Sequence, residues 1–256
     1  ACVAVPPAPT PATIPKPNSP PAAAAATTPT RPSYDRWQPL FPGAELMMTS
    51  DGLAALRHTA TAVRFGVHFE PIPAQGRSVG EWLGADEQAW AAVNCGFYWD
   101  NAGVYAHLGL LVTADEVIGR LRRDWGGVLI VHEGAAAVVA RPRRVAVPAE
   151  LGLQGWPMLV SAGRVWDGLD AQAVHRRTAV GVDGAGRVVW VAAPYGRTLA
   201  ALAERLLAPD LGLMEAVNLD GGVSTGLRWR AGPQAPQQGP DSLPIPCAVL
   251  LTPNGM

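Results

Sequence analysis

An acidic residue followed by two glycines stands near the C-terminal end of the chain, in the stretch AVNLDGGVST (residues 216–225). The apolar residues before Asp220 predict the end of a buried strand. Gly221 and Gly222 let the backbone approach a ligand closely, and successive N–H groups in such a turn bind anions. A carboxylate beside this turn, with Ser224 as a further donor, suits chemistry on a phosphate or a sugar hydroxyl.

Two further sets of polar residues interrupt apolar strands. Asn94 follows Val93 in the stretch AAVNCGFYW, and an amide side chain is costly to bury unless it is hydrogen-bonded. Arg177 and Thr178 stand where the apolar stretch RTAVGV begins, and a guanidinium forms paired hydrogen bonds with phosphate or carboxylate. Each feature alone also fits a plain turn, a loop contact or a salt bridge. These residues can therefore form a functional site only if the fold brings Asn94, Arg177, Thr178 and Asp220 together.

The elements that must position these residues are mostly strands. Alternating or short apolar runs bounded by turn residues predict strands within residues 59–70, 91–99, 108–113, 127–139, 156–166, 177–193, 214–222 and 246–252. Helical spacing with a hydroxyl cap predicts helices within residues 78–90, 113–125 and 198–212. These elements predict an α+β fold with a mixed, mainly antiparallel sheet and a few flanking helices in a single domain.

The composition changes sharply near residue 33. Residues 1–33 are almost entirely Pro, Ala, Thr and Ser, which predicts a disordered tether ahead of a folded domain at 34–256. Cys2 lies at the start of this segment, just before its Pro-rich part. This position indicates a lipid-anchored protein of the bacterial cell envelope, unless the chain simply begins at an arbitrary residue. We therefore expect an extracytoplasmic protein, anchored or secreted. Cys95 and Cys247 form a disulfide in such a compartment, or remain two buried thiols.

The charge and the histidines exclude some partners. The formal net charge is −1 and the arginines are scattered, so no nucleic-acid partner is predicted. A membrane contact is predicted only through an anchor at Cys2. The spacing of the histidines predicts no transition-metal site and no cofactor is required. An oxygen-ligand site for Ca²⁺ or Mg²⁺ near Asp220 and Asn218 stays open.

Four segments, in order along the chain, together resemble the phosphodiester glycosidase family. They are the strand end at residues 94–98, the hairpin at 155–163, the hairpin at 177–191 and the helix, strand and DGG unit at 198–224. The resemblance extends over roughly residues 60–252, and the order and spacing of the four segments make it specific.

The resemblance implies hydrolysis of a sugar-1-phosphodiester, such as an α-N-acetylglucosamine-1-phosphodiester glycan, with release of the sugar. It implies catalytic roles for Asp220, Arg177 and Asn94, and substrate-binding roles for Thr178, Gly96, Gly221, Gly222 and Ser224. Asp220 would act at the anomeric carbon as a nucleophile or as a base for water. The arginine, Thr178 and the glycine amides would hold the phosphate, and Asn94 would orient a sugar hydroxyl or a phosphate oxygen. A phosphate is already a good leaving group, so the oxocarbenium-like sugar and the departing anion need stabilisation most.

Several points remain open at the level of the sequence. Asp100 and Glu70 are candidates for a second carboxylate, whereas Asp183 fits a cap of its own hairpin turn. Cys95 and Trp156 stand where the family usually has glycine. Their bulk keeps open a surface-tethered, non-catalytic glycan-binding module with the same fold. A metal-dependent phosphodiesterase that cleaves the P–O bond in the same pocket is the other alternative.

Overall fold

A computed structural model describes residues 35–72, 76–145 and 149–255 of the chain. These residues belong to one compact unit that spans Ser33–Met256. Cys2 and the whole of the predicted tether lie outside the described residues. The lipid anchor and the boundary near residue 33 therefore stay predictions.

The described residues form nineteen strands and two α-helices, so the fold is largely β. The predicted α+β class overstated the helical part. The strands are β1 (Gln38–Phe41), β2 (Ala44–Met48), β3 (Ala54–His58), β4 (Val63–Phe69), β5 (Ala91–Asn94), β6 (Tyr98–Asn101), β7 (Val104–His107), β8 (Leu110–Thr113), β9 (Val117–Gly119), β10 (Gly127–His132), β11 (Ala135–Ala140), β12 (Leu151–Gly155), β13 (Met158–Ser161), β14 (Arg164–Val165), β15 (His175–Asp183), β16 (Val188–Arg197), β17 (Leu213–Asn218), β18 (Leu227–Trp229) and β19 (Cys247–Pro253). The helices are α1 (Val79–Ala85) and α2 (Leu199–Leu206), and single 3-10 turns cover Ala60–Ala62 and Gly222–Ser224.

The strands form three main sheets and one short hairpin, and every pairing among the described strands is antiparallel. An eight-stranded sheet has the order β1-β2-β3-β16-β15-β17-β13-β14, a five-stranded sheet the order β11-β10-β12-β8-β9, and a four-stranded sheet the order β18-β5-β19-β4. Strands β6 and β7 pair with each other alone. The predicted mainly antiparallel character is therefore confirmed.

The main hydrophobic core lies between the three sheets. Trp190 and Val180 enter it from the eight-stranded sheet, Leu129 from the five-stranded sheet, and Val93 and Val249 from the four-stranded sheet. Because successive strand residues face opposite sides, the other face of the eight-stranded sheet is also apolar and is covered by α2. Helix α1 packs against the four-stranded sheet in the same way.

Both α-helices begin where their hydroxyl residues predict. Ser78 caps α1 and forms a reciprocal capping box with Glu81, and the Thr198 side chain accepts a hydrogen bond from the N–H of Ala201 in α2. Neither helix has the length needed to cross a lipid bilayer.

The third predicted helix, at residues 113–125, was wrong. The Thr113 hydroxyl accepts hydrogen bonds from the N–H groups of Asp115 and Glu116, but the turn reverses the chain into β9 instead of opening a helix. Strand β9 pairs with β8, and Gly119 has a φ of +70°. A hydroxyl that satisfies the next amides serves a turn as well as a helix cap, so this signal alone could not separate the two.

Candidate active site

Asp220 lies where the chain leaves β17 and enters a glycine turn. Leu219 is buried and its N–H donates to the Thr178 carbonyl at 2.8 Å, which fixes the strand end against β15. The Asp220 side chain is half-buried, and its Oδ1 accepts a hydrogen bond of 2.9 Å from the N–H of Gly221. The structure thus shows the predicted carboxylate at the end of a core strand.

The surroundings of Asp220 raise the pKa of its carboxyl group, so it binds a proton more readily than a free Asp side chain. Burial raises the pKa of Asp220, and hydrogen bonds from Ser224 and from the Gly221 N–H oppose that rise. No cationic side chain of the described residues forms an ion pair with Asp220. A carboxylate with these properties can accept a proton from water or attack an electrophilic carbon.

Tyr98 belongs to the same group of side chains, although the sequence did not single it out. The Ser224 side chain is hydrogen-bonded both to Tyr98 and to Asp220. An ionised carboxylate only accepts, so Ser224 donates to Asp220, and the hydrogen bond between Ser224 and Tyr98 lowers the pKa of Tyr98. Burial raises the pKa of Tyr98 above its usual 10.0, and the nearby Asp220 raises it further. Tyr98 therefore keeps its proton at neutral pH and orders the hydroxyl of Ser224.

Asn94 is buried at the end of β5 and holds three parts of the site together. Its Oδ1 accepts hydrogen bonds from the Thr178 hydroxyl at 2.8 Å and from the N–H of Gly226 at 3.1 Å. Its Nδ2 donates to the carbonyl of Asp220 at 2.9 Å and to that of Cys95 at 3.1 Å. Asn94 and Thr178 thus fix the Asp220 turn through direct contacts, while their contact with a substrate stays a prediction.

The predicted glycines meet different needs. A side chain on Gly96 would clash with the Gln154 carbonyl, 2.7 Å from where a Cβ atom would lie, so Gly96 lets β12 approach. Gly221 likewise lies against the carbonyl of Arg176. By contrast, Gly222 has a φ of +59° and open space where a Cβ would be. Its N–H has no acceptor among the described residues, which leaves it as the predicted anion donor.

Arg177 is the predicted site residue whose side chain joins a different group. Its Nε donates to the Arg197 carbonyl at 3.0 Å and one of its terminal nitrogens donates to the Ala173 carbonyl at 2.9 Å. Burial lowers the pKa of Arg177, and Asp170 opposes that change. Because Arg177 and Thr178 are successive strand residues, their side chains leave opposite faces of the sheet. Contact between Arg177 and a phosphate stays a prediction.

Asp100, one candidate for a second carboxylate, raises the pKa of Tyr98 as Asp220 does, and the role of Asp100 or Glu70 as that carboxylate stays a prediction. Asp100 accepts a hydrogen bond from the N–H of Gly103 in the β6–β7 turn and is exposed. Asp183 accepts from two N–H groups of its own hairpin and from Arg187, which confirms its role as a turn cap. Neither Asp100 nor Glu70 acts on the pKa of Asp220.

Within the described residues, no three His, Cys, Asp or Glu side chains are grouped to hold a metal ion.

Cys95 and Cys247 form a disulfide that joins the end of β5 to the start of β19. The two Cα atoms are 5.5 Å apart, within the usual range for this bond. Since Cys95 directly follows Asn94, the bond anchors the site residue to the last strand of the four-stranded sheet. Cys95 thus takes the place of a usual family glycine with its side chain turned into the core.

Trp156, at the other position where the family usually has glycine, points outward next to the site. Its side chain is 47% exposed and is stacked with Trp125, with ring centroids 6.4 Å apart and planes 9° apart. Trp125 in turn contacts Phe97, which precedes Tyr98. The Trp156 carbonyl accepts a hydrogen bond of 2.8 Å from Asn218 Nδ2. An aromatic surface therefore begins at a residue that is hydrogen-bonded to the end of β17, two residues before Asp220.

A family model described as phosphodiester glycosidase matches residues 87–252, which is more than half of the 256-residue chain. The match contains Asn94, Arg177 and Asp220 together with the turns that hold them. No curated protein matches the sequence significantly.

Solved structures with the same fold come from animals and bacteria. The catalytic domain of zebrafish N-acetylglucosamine-1-phosphodiester α-N-acetylglucosaminidase, auto-inhibited by its pro-peptide, is 15% identical with a TM-score of 0.57, covering 83% of this chain and 82% of that chain. A hypothetical protein from Synechocystis is 16% identical with a TM-score of 0.51, covering 86% of this chain and 61% of that chain. A protein from Burkholderia pseudomallei that is thought to be exported is 13% identical with a TM-score of 0.57, covering 82% and 74%. At these identities the likeness shows the fold alone.

Proposed function

The chain belongs to the phosphodiester glycosidase family, and from this premise we propose that it hydrolyses a sugar-1-phosphodiester and releases the sugar. The substrate we propose is a glycan in which an α-linked sugar, N-acetylglucosamine or a close analogue, is joined through phosphate to a second group. The observation that carries the proposal is the half-buried Asp220 carboxylate beside an open glycine turn, at the end of the strand that the family model covers.

Asp220 is proposed to act at the anomeric carbon. Water contributes its oxygen to that carbon, the bond from carbon to the phosphate oxygen breaks, and the phosphate leaves with the bonding electron pair as a monoester. Asp220 either takes the proton of the attacking water or first forms a bond with the sugar that water then breaks. Both routes need an ionised carboxylate, which the hydrogen bonds from Ser224 and Gly221 favour.

The departing phosphate is proposed to meet donors on the glycine turn and on β15. The N–H of Gly222 has no acceptor among the described residues, and Arg177 has N–H groups beyond the two that bind carbonyl oxygens. Stabilising the anion as it forms lowers the barrier without a strong acid, because a phosphate group leaves readily. Asn94 and Thr178 support this arrangement by holding the Asp220 turn.

We propose that the reaction takes place outside the cytoplasm, in the cell envelope or after secretion. The Cys95–Cys247 disulfide supports this location, because such bonds persist in oxidising compartments. The substrate would then be an envelope glycan or exopolysaccharide. A lipid anchor at Cys2 is proposed as the only membrane attachment.

The test is hydrolysis of the methyl phosphodiester of α-N-acetylglucosamine-1-phosphate in water enriched in ¹⁸O. We expect wild-type protein to release N-acetylglucosamine that carries ¹⁸O, together with unlabelled methyl phosphate. Asp220→Asn keeps the size of the side chain and removes its charge, so kcat should fall by about 10²–10⁴-fold. Asp115→Asn, an exposed carboxylate between β8 and β9, is the matched control and should retain full activity.

Other products would overturn the proposal in distinct ways. N-acetylglucosamine-1-phosphate with ¹⁸O in the phosphate would show P–O cleavage, and loss of that activity with a chelator would identify a metal-dependent phosphodiesterase. Equal activity in wild type and Asp220→Asn would remove Asp220 from the reaction. No product from a panel of sugar-1-phosphodiesters would favour a glycan-binding module without catalysis.

A further inference from the structure

A pocket of about 180 Å³ lies beside Trp156. Trp156 and Trp166 contribute aromatic walls, and Arg141 and Asp167 contribute charged groups at its rim. This volume is below the ~300 Å³ at the lower end of typical small-molecule sites. The pocket therefore suits one small ring rather than an extended ligand.

The pocket wall is fixed directly to the strand that carries the catalytic turn. Trp156 donates its N–H to the Asn218 carbonyl at 2.8 Å, and the Trp156 carbonyl accepts from Asn218 Nδ2 at 2.8 Å. Asn218 stands two residues before Asp220. A ligand group in the pocket is thus held in a constant relation to the Asp220 turn.

The chemistry of the walls matches a pyranose ring. A sugar ring has an apolar C–H face that packs on an indole, and hydroxyl groups around its edge that need donors and acceptors. Trp125 supports one side of the Trp156 ring, and the Arg141 guanidinium lies 5.5 Å from the centroid of Trp166. Arg141 can donate to hydroxyl oxygens, while the Asp167 carboxylate can accept from hydroxyl protons.

We propose that this pocket is a subsite for a second sugar ring of the glycan substrate. That the subsite lies next to the scissile bond rests on the proposed function. That a pyranose binds in the pocket does not depend on the proposed function. Because Trp156 replaces a usual family glycine, the subsite would give this chain a preference for substrates longer than a single sugar phosphodiester.

The experiment measures binding without turnover. Asp220→Asn protein is titrated with neutral di- and trisaccharides of glucose, galactose, mannose and N-acetylglucosamine, followed by tryptophan fluorescence and calorimetry. At least one of them should bind saturably. Adding Trp156→Ala should weaken the Kd about tenfold, as expected for loss of an aromatic contact. Asp167→Asn, an exposed and conservative change, should weaken it several-fold.

Trp99 supplies the matched control, because its side chain is 59% exposed and it does not line the pocket. Trp99→Ala should leave the Kd unchanged. The subsite is overturned if no saccharide of the panel binds, or if Trp156→Ala and Asp167→Asn both bind as tightly as the parent. If the wild-type protein binds a saccharide but releases no sugar from a phosphodiester, the subsite is supported and only the proposed hydrolysis is contradicted.

Discussion

At the scale of single residues, the Asp220 carboxyl experiences two opposing effects. Burial raises its pKa, whereas Ser224 and the Gly221 N–H lower it by hydrogen bonding. A reaction that needs the ionised form should therefore lose rate on the acid side at a pH above the 3.8 of a free Asp side chain. Tyr98, with its pKa above 10.0, stays protonated over the same range.

Ser224→Ala tests this balance. The change removes a hydrogen bond that lowers the pKa of Asp220, so the acidic limb of kcat/KM should move to higher pH. The rate on the plateau should fall roughly tenfold, the effect of losing one charge-assisted hydrogen bond. The measurement is the pH profile of kcat/KM for both proteins.

Thr225→Val is the matched control for Ser224→Ala. The Thr225 hydroxyl is buried beside the same turn and has no hydrogen-bond partner among the described residues. Its removal should leave the acidic limb in place. A limb that stays fixed in Ser224→Ala, or that moves equally in both variants, would contradict the role given to Ser224.

Asn94 should matter for stability as well as for activity. Asn94→Ala removes four hydrogen bonds within a buried region, so the free energy of unfolding should fall by about 2–4 kcal/mol. Thr178→Val removes only one of them and should cost about 1 kcal/mol. Urea unfolding measures both values, and equal losses in the two variants would show that the Asn94 contacts do not act as a group.

The residues of the site could be chosen from the sequence only in part. Asp220 and Asn94 stand out because a polar side chain inside an apolar stretch demands an explanation. Tyr98 gave no such signal, since an aromatic residue after Gly96 and Phe97 is ordinary in a strand. Its role arises from the turn at Gly222–Ser224, which brings Ser224 to the Tyr98 hydroxyl across a long sequence separation.

At the scale of elements, local signals sufficed where sequence neighbours also pair in space. The hairpin between β15 and β16 and the cap of α2 follow from nearby residues, and both are confirmed. The stretch at 113–125 shows where local signals fail. Its spacing fits a helix, but β8 offers an open edge, and pairing with that edge outweighs a weak helical preference.

The disulfide between β5 and β19 should be worth about 2–4 kcal/mol of unfolding free energy. Urea unfolding of wild type with and without reductant measures this contribution. Cys95→Ala combined with Cys247→Ala should unfold at the lower midpoint and should not respond to reductant. An unchanged wild-type midpoint after full reduction would show that the bond adds nothing to stability.

At the scale of the whole molecule, two buried histidines set the resistance to acid. Burial lowers the pKa of His58 and of His107 from 6.5 to about 4 in each case. His58 Nδ1 contacts the Thr59 carbonyl and its Nε2 accepts from Trp190, so both ring nitrogens are occupied in the neutral form. The unfolded chain binds protons on these residues more readily than the folded protein does.

Stability should therefore fall as the pH drops from about 6.5 to about 4, by on the order of 3 kcal/mol for each histidine. Asp220 acts in the opposite sense, because its raised pKa adds stability when it gains a proton. The measurement is the free energy of unfolding across this range. Exposed His175→Gln is the control and should keep the full slope. A flat profile in wild type would contradict the prediction.

The position of strand β19 in the four-stranded sheet determines when that sheet can form during synthesis. Strand β19 lies between β5 and β4, so the strand that ends in Asn94 lacks this neighbour until residues 247–253 have been synthesised. Pairings of such large sequence separation form late. A nascent chain that stops before residue 247 would carry Asp220 and Asn94 but present two open strand edges. We therefore expect the residues around Asn94 and Asp220 to reach their final arrangement only after β19 has been synthesised.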